Sequence, residues 1–277
     1  MGCRTRVIGN IHGPEVTERR GNLSFTTINL PRLALKAEGS MGEFYRLLES
    51  VVWLACEQLN HRYRVQAELK VKDMPFVMGQ HLYMGSEGLK GCDTVEEAVK
   101  HGTLSVGFIG LAETLVSLTG KHHGQSDDSQ AIGISIIQFM RQLVDKAAEQ
   151  FNHNYTFLAT PAEGLSGRFI GMDRELFGLV PGVTDREYYS NSFHIPVDCD
   201  ISLFEKISKE GPYHKYTNAG HISYVEFPAP PVHNAEAIQA IIQHMRKSDM
   251  GYAGINFPID FCEGCGYLGV IDEANCP

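Results

Sequence analysis

The sequence lacks several features that would assign it to a broad class of protein. It has no run of about eighteen apolar residues, so we expect no transmembrane helix. It also has no basic amino-terminal region followed by an apolar stretch, so we expect no secretory signal. Basic residues are outnumbered, with 24 Lys and Arg against 33 Asp and Glu and a formal net charge of −9. Such a charge provides no long-range attraction for phosphate backbones or anionic lipids, so we expect neither nucleic acid nor a membrane as a partner.

The cysteines do not form the pattern of a disulfide framework. There are seven, an odd number, and four stand singly in the sequence, at Cys3, Cys56, Cys92 and Cys199. This usage favours a reducing, cytoplasmic location. The length of 277 residues, with 43% hydrophobic and 21% charged residues, is that of an ordinary globular protein with a sizeable core.

Hydrophobic periodicity predicts alternating helices and strands. Helices are predicted over residues 41–60, 111–118, 128–151, 161–177, 203–210 and 235–247. Strands are predicted over residues 104–109, 155–159, 193–197, 221–227 and 252–256. This alternation indicates an α/β fold with largely parallel strand pairing.

The last residues contain a cluster of cysteines that is typical of a metal site. Cys262 and Cys265 form a C-x-x-C pair, and Cys276 follows after a short loop. Two such pairs usually enclose a tetrahedral Zn²⁺, and here a fourth thiolate is missing. We therefore expect an incomplete zinc ribbon at residues 261–277, whose role is structural, and a chain that is a fragment of a longer protein.

A second candidate site lies between a predicted strand and a predicted helix. It comprises Thr160, Pro161, Ala162, Glu163, Gly164, Leu165 and Ser166. The start of a helix offers unpaired N–H groups and the positive end of the helix dipole, which suit a phosphate or carboxylate. A capped helix without a ligand is the alternative. The histidines do not indicate a specific site. His122 and His123 have no third metal ligand at useful spacing, and His194 could be either a core residue or a site residue.

Several longer segments together resemble one known family. They are Met1–Thr5, Arg20–Leu23, Ile28–Arg32, Gly102–Leu111, Thr160–Glu163, Tyr188–His194 and the terminal cysteine cluster. In this order they are similar to the C-terminal half of the catalytic subunit of class III anaerobic ribonucleoside-triphosphate reductases, which are glycyl-radical enzymes. The resemblance covers essentially the whole chain.

The resemblance implies the fold and the site residues. The fold would be the C-terminal part of a ten-stranded α/β barrel over residues 1–260, with an inner finger loop at about residues 1–20. Cys3 would carry the transient thiyl radical, and Met1 matches the methionine that precedes that cysteine in formate-using members. Asn22 would hydrogen-bond the ribose hydroxyls. The turn from Pro161 to Ser166 would hold the substrate phosphates, in agreement with the dipole argument.

The resemblance also implies cofactors and partners. These are structural Zn²⁺, a glycyl radical and ATP or dNTP effectors at positions outside this chain, formate as reductant, a radical S-adenosylmethionine activating enzyme and a second copy of the subunit. The string Cys265–Gly269 lacks the arginine that precedes the family's radical glycine, so Gly266 is interpreted as part of the metal turn. Without the other half of the barrel, we expect the fragment alone to be inactive.

Two other functions remain as alternatives. The first is another glycyl-radical enzyme of the formate-lyase type, although such enzymes commonly have adjacent cysteines at the loop tip and Cys3 stands alone. The second is a non-catalytic zinc-ribbon protein that binds a partner or nucleic acid. A basic surface around the cysteines would favour it, but Glu263, Asp272 and Glu273 make this tail acidic.

Overall fold

The computed structural model describes residues 5–227, 230–231, 234–257 and 259–271. Its largest sheet has three parallel strands in the order β1 (Asn22–Asn29), β2 (Thr103–Ile109) and β3 (Asn154–Ala159). A second sheet pairs β4 (Ser223–Glu226) with β5 (Ala253–Asn256) in parallel. A short antiparallel hairpin joins β6 (Asp260–Phe261) to β7 (Leu268–Gly269).

Helices connect the parallel strands, as parallel pairing requires. Between β1 and β2 lie α1 (Leu30–Lys36), α2 (Met41–Ala67) and α3 (Glu96–Val99), and between β2 and β3 lie α4 (Leu111–Thr119) and α5 (Asp127–Phe151). The remaining helices are α6 (Glu163–Phe177), α7 (Leu203–His214) and α8 (Ala235–Lys247). Five of these helices are capped by side chains of the residue types that favour this position, namely Asn29, Ser40, Ser126, Ser202 and Asn234.

The main core lies between one face of β1–β2–β3 and the helices α2 and α5. Leu104, Val106 and Phe108 of β2 are fully buried there, and the Phe108 ring stacks on Phe157 of β3 with centroids 5.2 Å apart. A smaller core forms where α7 and α8 cover β4, around Ile207, Val225, Ile241 and Met245. The helices therefore cover one face of the main sheet.

Most of the predicted elements are present, and several differ from the prediction. Residues 193–197 were predicted as a strand, but they form a turn and loop in which His194 N–H donates to Asn191 O at 2.9 Å. The apolar side chain at Phe193 stacks on the ring of Tyr213, and it does not belong to a strand. Helix α6 begins at Glu163, two residues after the predicted start, and α2 and α7 continue beyond their predicted ends. The elements β1, α1, α3, β6 and β7 were not predicted.

The described residues form small sheets, so the expected barrel is not closed by this part of the chain. No zinc ribbon is formed by the residues that the structure describes, although the hairpin β6–β7 brackets Cys262 and Cys265. Within the same residues, no helix combines the length and the apolar character needed to cross a bilayer.

Candidate functional site

The two faces of the main sheet differ in polarity. Along β2, the residues that alternate with the apolar core positions are Thr103, Ser105 and Gly107, and on β3 Thr156 lies beside Ser105. Side chains two residues apart share a face, so these positions form a second face that points away from α2 and α5. We call it the polar face of the sheet.

Asn22 joins the polar face at the start of β1. Its Nδ2 donates to Ser105 Oγ, which lies 2.8 Å from Thr156 Oγ1. Ser105 and Thr156 are buried, whereas Asn22 is half-buried. The amide oxygen Oδ1 of Asn22 accepts no hydrogen bond from the residues that the structure describes, so it can accept one from a ligand on the polar face.

Two threonines extend the polar face towards the carboxyl ends of the strands. Thr27 Oγ1 of β1 lies 3.1 Å from Thr160 Oγ1, the residue that follows β3. Between them is Gly107, where an added Cβ would overlap Thr160 Oγ1. A glycine at this position therefore lets Thr160 lie across β2 and fixes the start of the next turn.

That turn is the predicted anion site. Ala162 is the N-cap residue of α6, and its N–H donates to Asn191 Oδ1 at 2.9 Å. No side chain caps the helix, and the first intrahelical bond is from Ser166 N–H to Ala162 O. The N–H groups of residues 163–165 therefore have no acceptor within the helix, and they lie at the positive end of the helix dipole.

The structure brings Asn22 and the residues of this turn to one sheet. Asn22 reaches β2 at Ser105, and Thr160 reaches it at Gly107. Two residues of a parallel strand span about 6.6 Å.

A buried carboxylate ties the turn to neighbouring elements. Asp173 of α6 is fully buried and accepts from Asn29 Nδ2 at 2.8 Å, Arg32 Nε at 2.5 Å and Tyr189 Oη at 2.8 Å. Burial and the adjacent Asp173 raise the pKa of Tyr189, which stays protonated as the donor. These bonds hold α6 against the end of β1 and against the segment that contains Asn191.

A cavity of about 480 Å³ lies beside the turn. Its lining includes Arg186, Asn191, His194, Lys206, Tyr224 and Glu226. Asn191 contacts both this cavity and Ala162, which places the cavity next to the start of α6. Sequence reasoning did not find Arg186 or Lys206, since isolated basic residues have no distinguishing spacing.

The histidines that the sequence left open have structural partners. His194 Nε2 lies 2.7 Å from Ile222 O and also faces the cavity. His123 is fully buried, with Nε2 2.8 Å from Phe193 O, and burial lowers its pKa to about 3. It is therefore neutral and shows no metal-ligand arrangement with the side chains that the structure describes.

The described part of the predicted finger loop, from residue 5 to about residue 20, contacts the sheet at its β3 edge. Arg6 N–H donates to Ala219 O at 2.6 Å, and Ala219 N–H donates to Phe157 O of β3 at 2.9 Å. Further along, Ile11 N–H donates to Asn154 Oδ1 at 2.8 Å. Met1 and Cys3 lie outside the described residues.

The predicted metal turn is partly described. Cys262 N–H donates to Tyr267 O at 2.9 Å, and Gly266 N–H, at φ +74°, donates to Cys262 O at 2.8 Å. This tight turn brings Cys262 and Cys265 to one end of the hairpin, which suits two thiolates of a zinc site. Cys276 lies outside the described residues, and the described ones contain no group of three or more metal-ligating side chains.

Comparison with known proteins gives one consistent family. A family profile described as anaerobic ribonucleoside-triphosphate reductase matches residues 1–277. The proteins of that name from Salmonella typhimurium and Escherichia coli are each 37% identical over 277 residues, covering 97% of this chain and 38% of the relative. The protein of the same name from Enterobacteria phage T4 is 33% identical, covering 96% of this chain and 43% of its own length. The chain thus spans about two fifths of these relatives.

Solved structures agree in fold. A structure described as anaerobic ribonucleotide reductase aligns with a TM-score of 0.72 at 19% identity, covering 91% of this chain and 40% of that one. The Thermotoga maritima anaerobic ribonucleotide reductase in complex with dATP and CTP aligns with a TM-score of 0.71 at 19% identity, over 96% of this chain and 43% of that one. At this identity the alignment supports the fold alone.

Proposed function

The chain belongs to the anaerobic ribonucleoside-triphosphate reductase family, and on that premise we propose that it forms the substrate-reducing part of a longer enzyme of this kind. The proposed reaction converts a ribonucleoside triphosphate into the 2′-deoxyribonucleoside triphosphate. The family match over residues 1–277 favours this function over a formate-lyase relative or a non-catalytic zinc-ribbon protein.

One observation carries the proposal. The polar face of β1–β2–β3 has the half-buried amide of Asn22 near one end and the uncapped start of α6 near the other. A ribose hydroxyl can donate to Asn22 Oδ1 while the phosphates accept from the N–H groups of residues 163–165. The positive helix end favours the phosphate charge without a basic patch, in keeping with the acidic composition of the chain.

The residue roles follow from the resemblance and this geometry. Cys3 is the proposed radical carrier: its thiyl removes the hydrogen atom from C3′ of the ribose, and the 2′-hydroxyl then leaves as water. With formate as reductant, the reaction balances as nucleoside triphosphate and formic acid giving deoxynucleoside triphosphate, carbon dioxide and water. Formate is proposed because Met1 matches the methionine that precedes the radical cysteine in formate-using members. A stored glycyl radical outside this chain supplies the oxidising equivalent for Cys3.

The proposed architecture encloses this chemistry. We infer that residues 1–260 form the C-terminal part of a ten-stranded barrel, with the finger loop at about residues 1–20 inside it and residues 261–277 as a separate zinc-binding tail. A barrel interior keeps water away from a thiyl radical. The enzyme would act in the cytoplasm as a homodimer. A radical S-adenosylmethionine enzyme would activate it, and ATP or dNTP effectors would regulate it at sites outside this chain.

Zinc fits the residues of the tail as a structural metal. Cys262 and Cys265 would hold it from the hairpin turn, and Cys276 would supply a third thiolate. Bound zinc would join the two ends of a segment that has little core of its own.

The test is the substitution Cys3→Ser in the full-length reductase. We expect deoxynucleotide synthesis to be abolished while circular dichroism and zinc content are unchanged, because a hydroxyl does not form the radical under these conditions. Cys92→Ser, at an exposed cysteine, is the matched control and retains turnover. Deoxynucleotide synthesis by Cys3→Ser would overturn the assignment.

A further inference from the structure

Asn22 is held on the polar face by an irregularity in strand β1. The register of β1 against β2 shifts between Asn22 and Ser24, so that Asn22 pairs with Thr103 and Ser24 with Leu104. In a regular strand these two side chains would share a face. Here Ser24 Oγ instead accepts from Arg62 of α2 at 2.9 Å, on the helix-covered face, while Asn22 reaches Ser105 on the polar face.

The side chain of Leu23, at the bulge, fits into a space beside Gly102. An added Cβ at Gly102 would lie 2.5 Å from Leu23 Cγ, so only a glycine leaves room for the Leu23 side chain. Bulges commonly redirect a side chain beside a functional site. Leu23 and Gly102 therefore act together to turn Asn22 towards the polar face.

Three side chains then form a hydrogen-bonded row across three strands. Asn22 Nδ2 donates to Ser105 Oγ, Ser105 Oγ lies 2.8 Å from Thr156 Oγ1, and Thr156 Oγ1 donates to Leu104 O at 3.5 Å. A hydroxyl has a single hydrogen, so Ser105, which accepts from the amide, gives its hydrogen to Thr156. The row thus has one direction and ends on a backbone carbonyl.

This direction fixes which side of the Asn22 amide faces Ser105, and it leaves one N–H of Nδ2 as well as Oδ1 for a ligand. With Nδ2 engaged by Ser105, the Oδ1 atom is left to accept a hydrogen bond. Ser105 and Thr156 are 0% and 2% exposed, so their hydroxyls have little access to water and would be costly to leave unpaired. Burial therefore makes the row rigid and resists a flip of the amide.

We propose that Ser105 and Thr156 are positioning residues that orient Asn22 so that its carbonyl oxygen accepts from a ribose hydroxyl. This inference rests on the proposed function of Asn22 as a substrate-binding residue. Ser105 and Thr156 do not touch the substrate themselves; they hold the amide of Asn22 in the orientation that does.

The experiment uses full-length reductase, with turnover expressed per radical-bearing chain. Ser105→Ala removes the acceptor for Asn22 Nδ2, and Thr156→Val removes the second hydroxyl at nearly constant volume. We expect kcat to fall about tenfold for Ser105→Ala and several-fold for Thr156→Val, with KM for the nucleotide within about twofold, since the phosphates still bind the turn. Thr156→Ser keeps the hydroxyl and should restore the wild-type kcat.

Two comparisons make the result specific. Thr26→Val is the matched control, because the Thr26 hydroxyl bonds Gln58 on the helix-covered face at 2.7 Å, and it should leave kcat unchanged. Ser105→Ala should cause no further loss in an Asn22→Ala background, because residues that act as a unit are not additive. A purely structural role would lower the yield of folded protein without changing kcat per radical-bearing chain.

The outcomes separate the two proposals. If Asn22→Ala retains wild-type turnover, the proposed function of Asn22 fails and the positioning role fails with it. If Asn22→Ala lowers kcat but both Ser105→Ala and Thr156→Val retain wild-type kcat, the positioning role alone is overturned. The same holds if Ser105→Ala and Asn22→Ala reduce kcat independently of one another.

Discussion

Gly164 is the residue at which the proposed phosphate site can be tested with little disturbance of the fold. An added side chain at Gly164 meets no atom within 4 Å, so Gly164→Asp fits sterically. An acidic residue in the first turn of a helix is stabilising, but it would repel a triphosphate at the same N–H groups. We therefore expect the KM for the nucleotide to rise at least about tenfold, without loss of thermal stability.

The control for this substitution lies on the same helix. Gly171→Asp introduces the same charge two turns further along α6, where an added side chain also meets no atom within 4 Å. Its KM should stay near the wild-type value. Equal KM values for Gly164→Asp and the wild-type enzyme would contradict phosphate binding at this turn.

Replacement of Asp173 should lower the free energy of unfolding. Three donors converge on a carboxylate with no solvent exposure, and Arg32 is itself mostly buried. Asp173→Ala leaves the Arg32 charge unpaired, which typically costs about 3 kcal/mol of unfolding free energy. Asp145→Ala breaks the exposed ion pair with Arg141 and should cost less than about 1 kcal/mol. Urea denaturation measures both, and similar losses would show that the Asp173 cluster has no special stabilising role.

The sequence predicted single residues unevenly, for physical reasons. Asn22 and the turn at Pro161 could be proposed because they belong to short motifs. The partners of Asn22 could not, since Ser105 and Thr156 are separated from it by 83 and 134 positions and meet it only through strand register. The bulge at Leu23 also changes the face of Asn22, and periodicity alone does not reveal a bulge.

At the scale of secondary structure, the prediction succeeded where one stripe of apolar residues decides the element. The long helices α2 and α5 each present such a stripe to the core; α5 was predicted within one residue of its observed bounds, whereas α2 continues seven residues beyond its predicted end. β1 was missed because its two faces carry mostly polar groups: Ser24 and Thr26 face polar side chains of α2, and Thr27 faces Thr160. Strand propensity cannot anticipate such specific polar pairing.

The junction of α7, β4 and the turn before β5 depends on a neutral histidine. His214 Nδ1 accepts from Gly251 N–H at 3.0 Å, so Nε2 carries the hydrogen and donates to Ser223 Oγ at 2.9 Å. A proton on Nδ1 would point at the N–H of Gly251 and would break this hydrogen bond. Burial chiefly, with the nearby His221, His194 and Arg6, lowers the pKa of His214 to about 3. The His221 ring lies 4.2 Å away, and burial lowers its pKa too.

This histidine should make the protein less stable in acid. Its pKa is near 6.5 in the unfolded chain and about 3 in the folded one, so the unfolded state binds more protons between these values. The stabilisation is fully present above pH 6.5 and is lost as the pH falls towards 3, by at most about 1.4 kcal/mol per pH unit. His214→Gln should reduce the slope of unfolding free energy against pH between 4 and 6.5. His61→Gln, at an exposed position, should keep the wild-type slope, and an unchanged slope in His214→Gln would exclude the mechanism.

For the whole molecule, the arrangement of faces explains why hydrophobic periodicity predicted the fold class but not the barrel, which was expected from the family resemblance alone. Alternating helices and strands predict parallel pairing, and β1–β2–β3 and β4–β5 confirm it. β1 lies at an edge of its sheet among the described residues, and the side chain of Phe25 in this strand is 50% exposed. Closure of a barrel needs further strands along such edges, and these cannot be read from the periodicity of the strands that are present.

The tail gives a prediction for the assembled protein. If Cys262 and Cys265 hold a structural metal with Cys276, the full-length reductase should contain about one Zn²⁺ per chain. Cys262→Ser removes one of two thiolates that a single turn presents, so zinc content should fall and the hairpin β6–β7 should become more sensitive to proteolysis. Cys92→Ser, at an exposed cysteine far along the chain from the tail, should leave zinc content unchanged. Mass spectrometry measures the zinc content of both variants. Full zinc occupancy in Cys262→Ser would mean that these cysteines do not bind zinc, because three thiolates that share one ion cannot lose one of their number without loss of affinity.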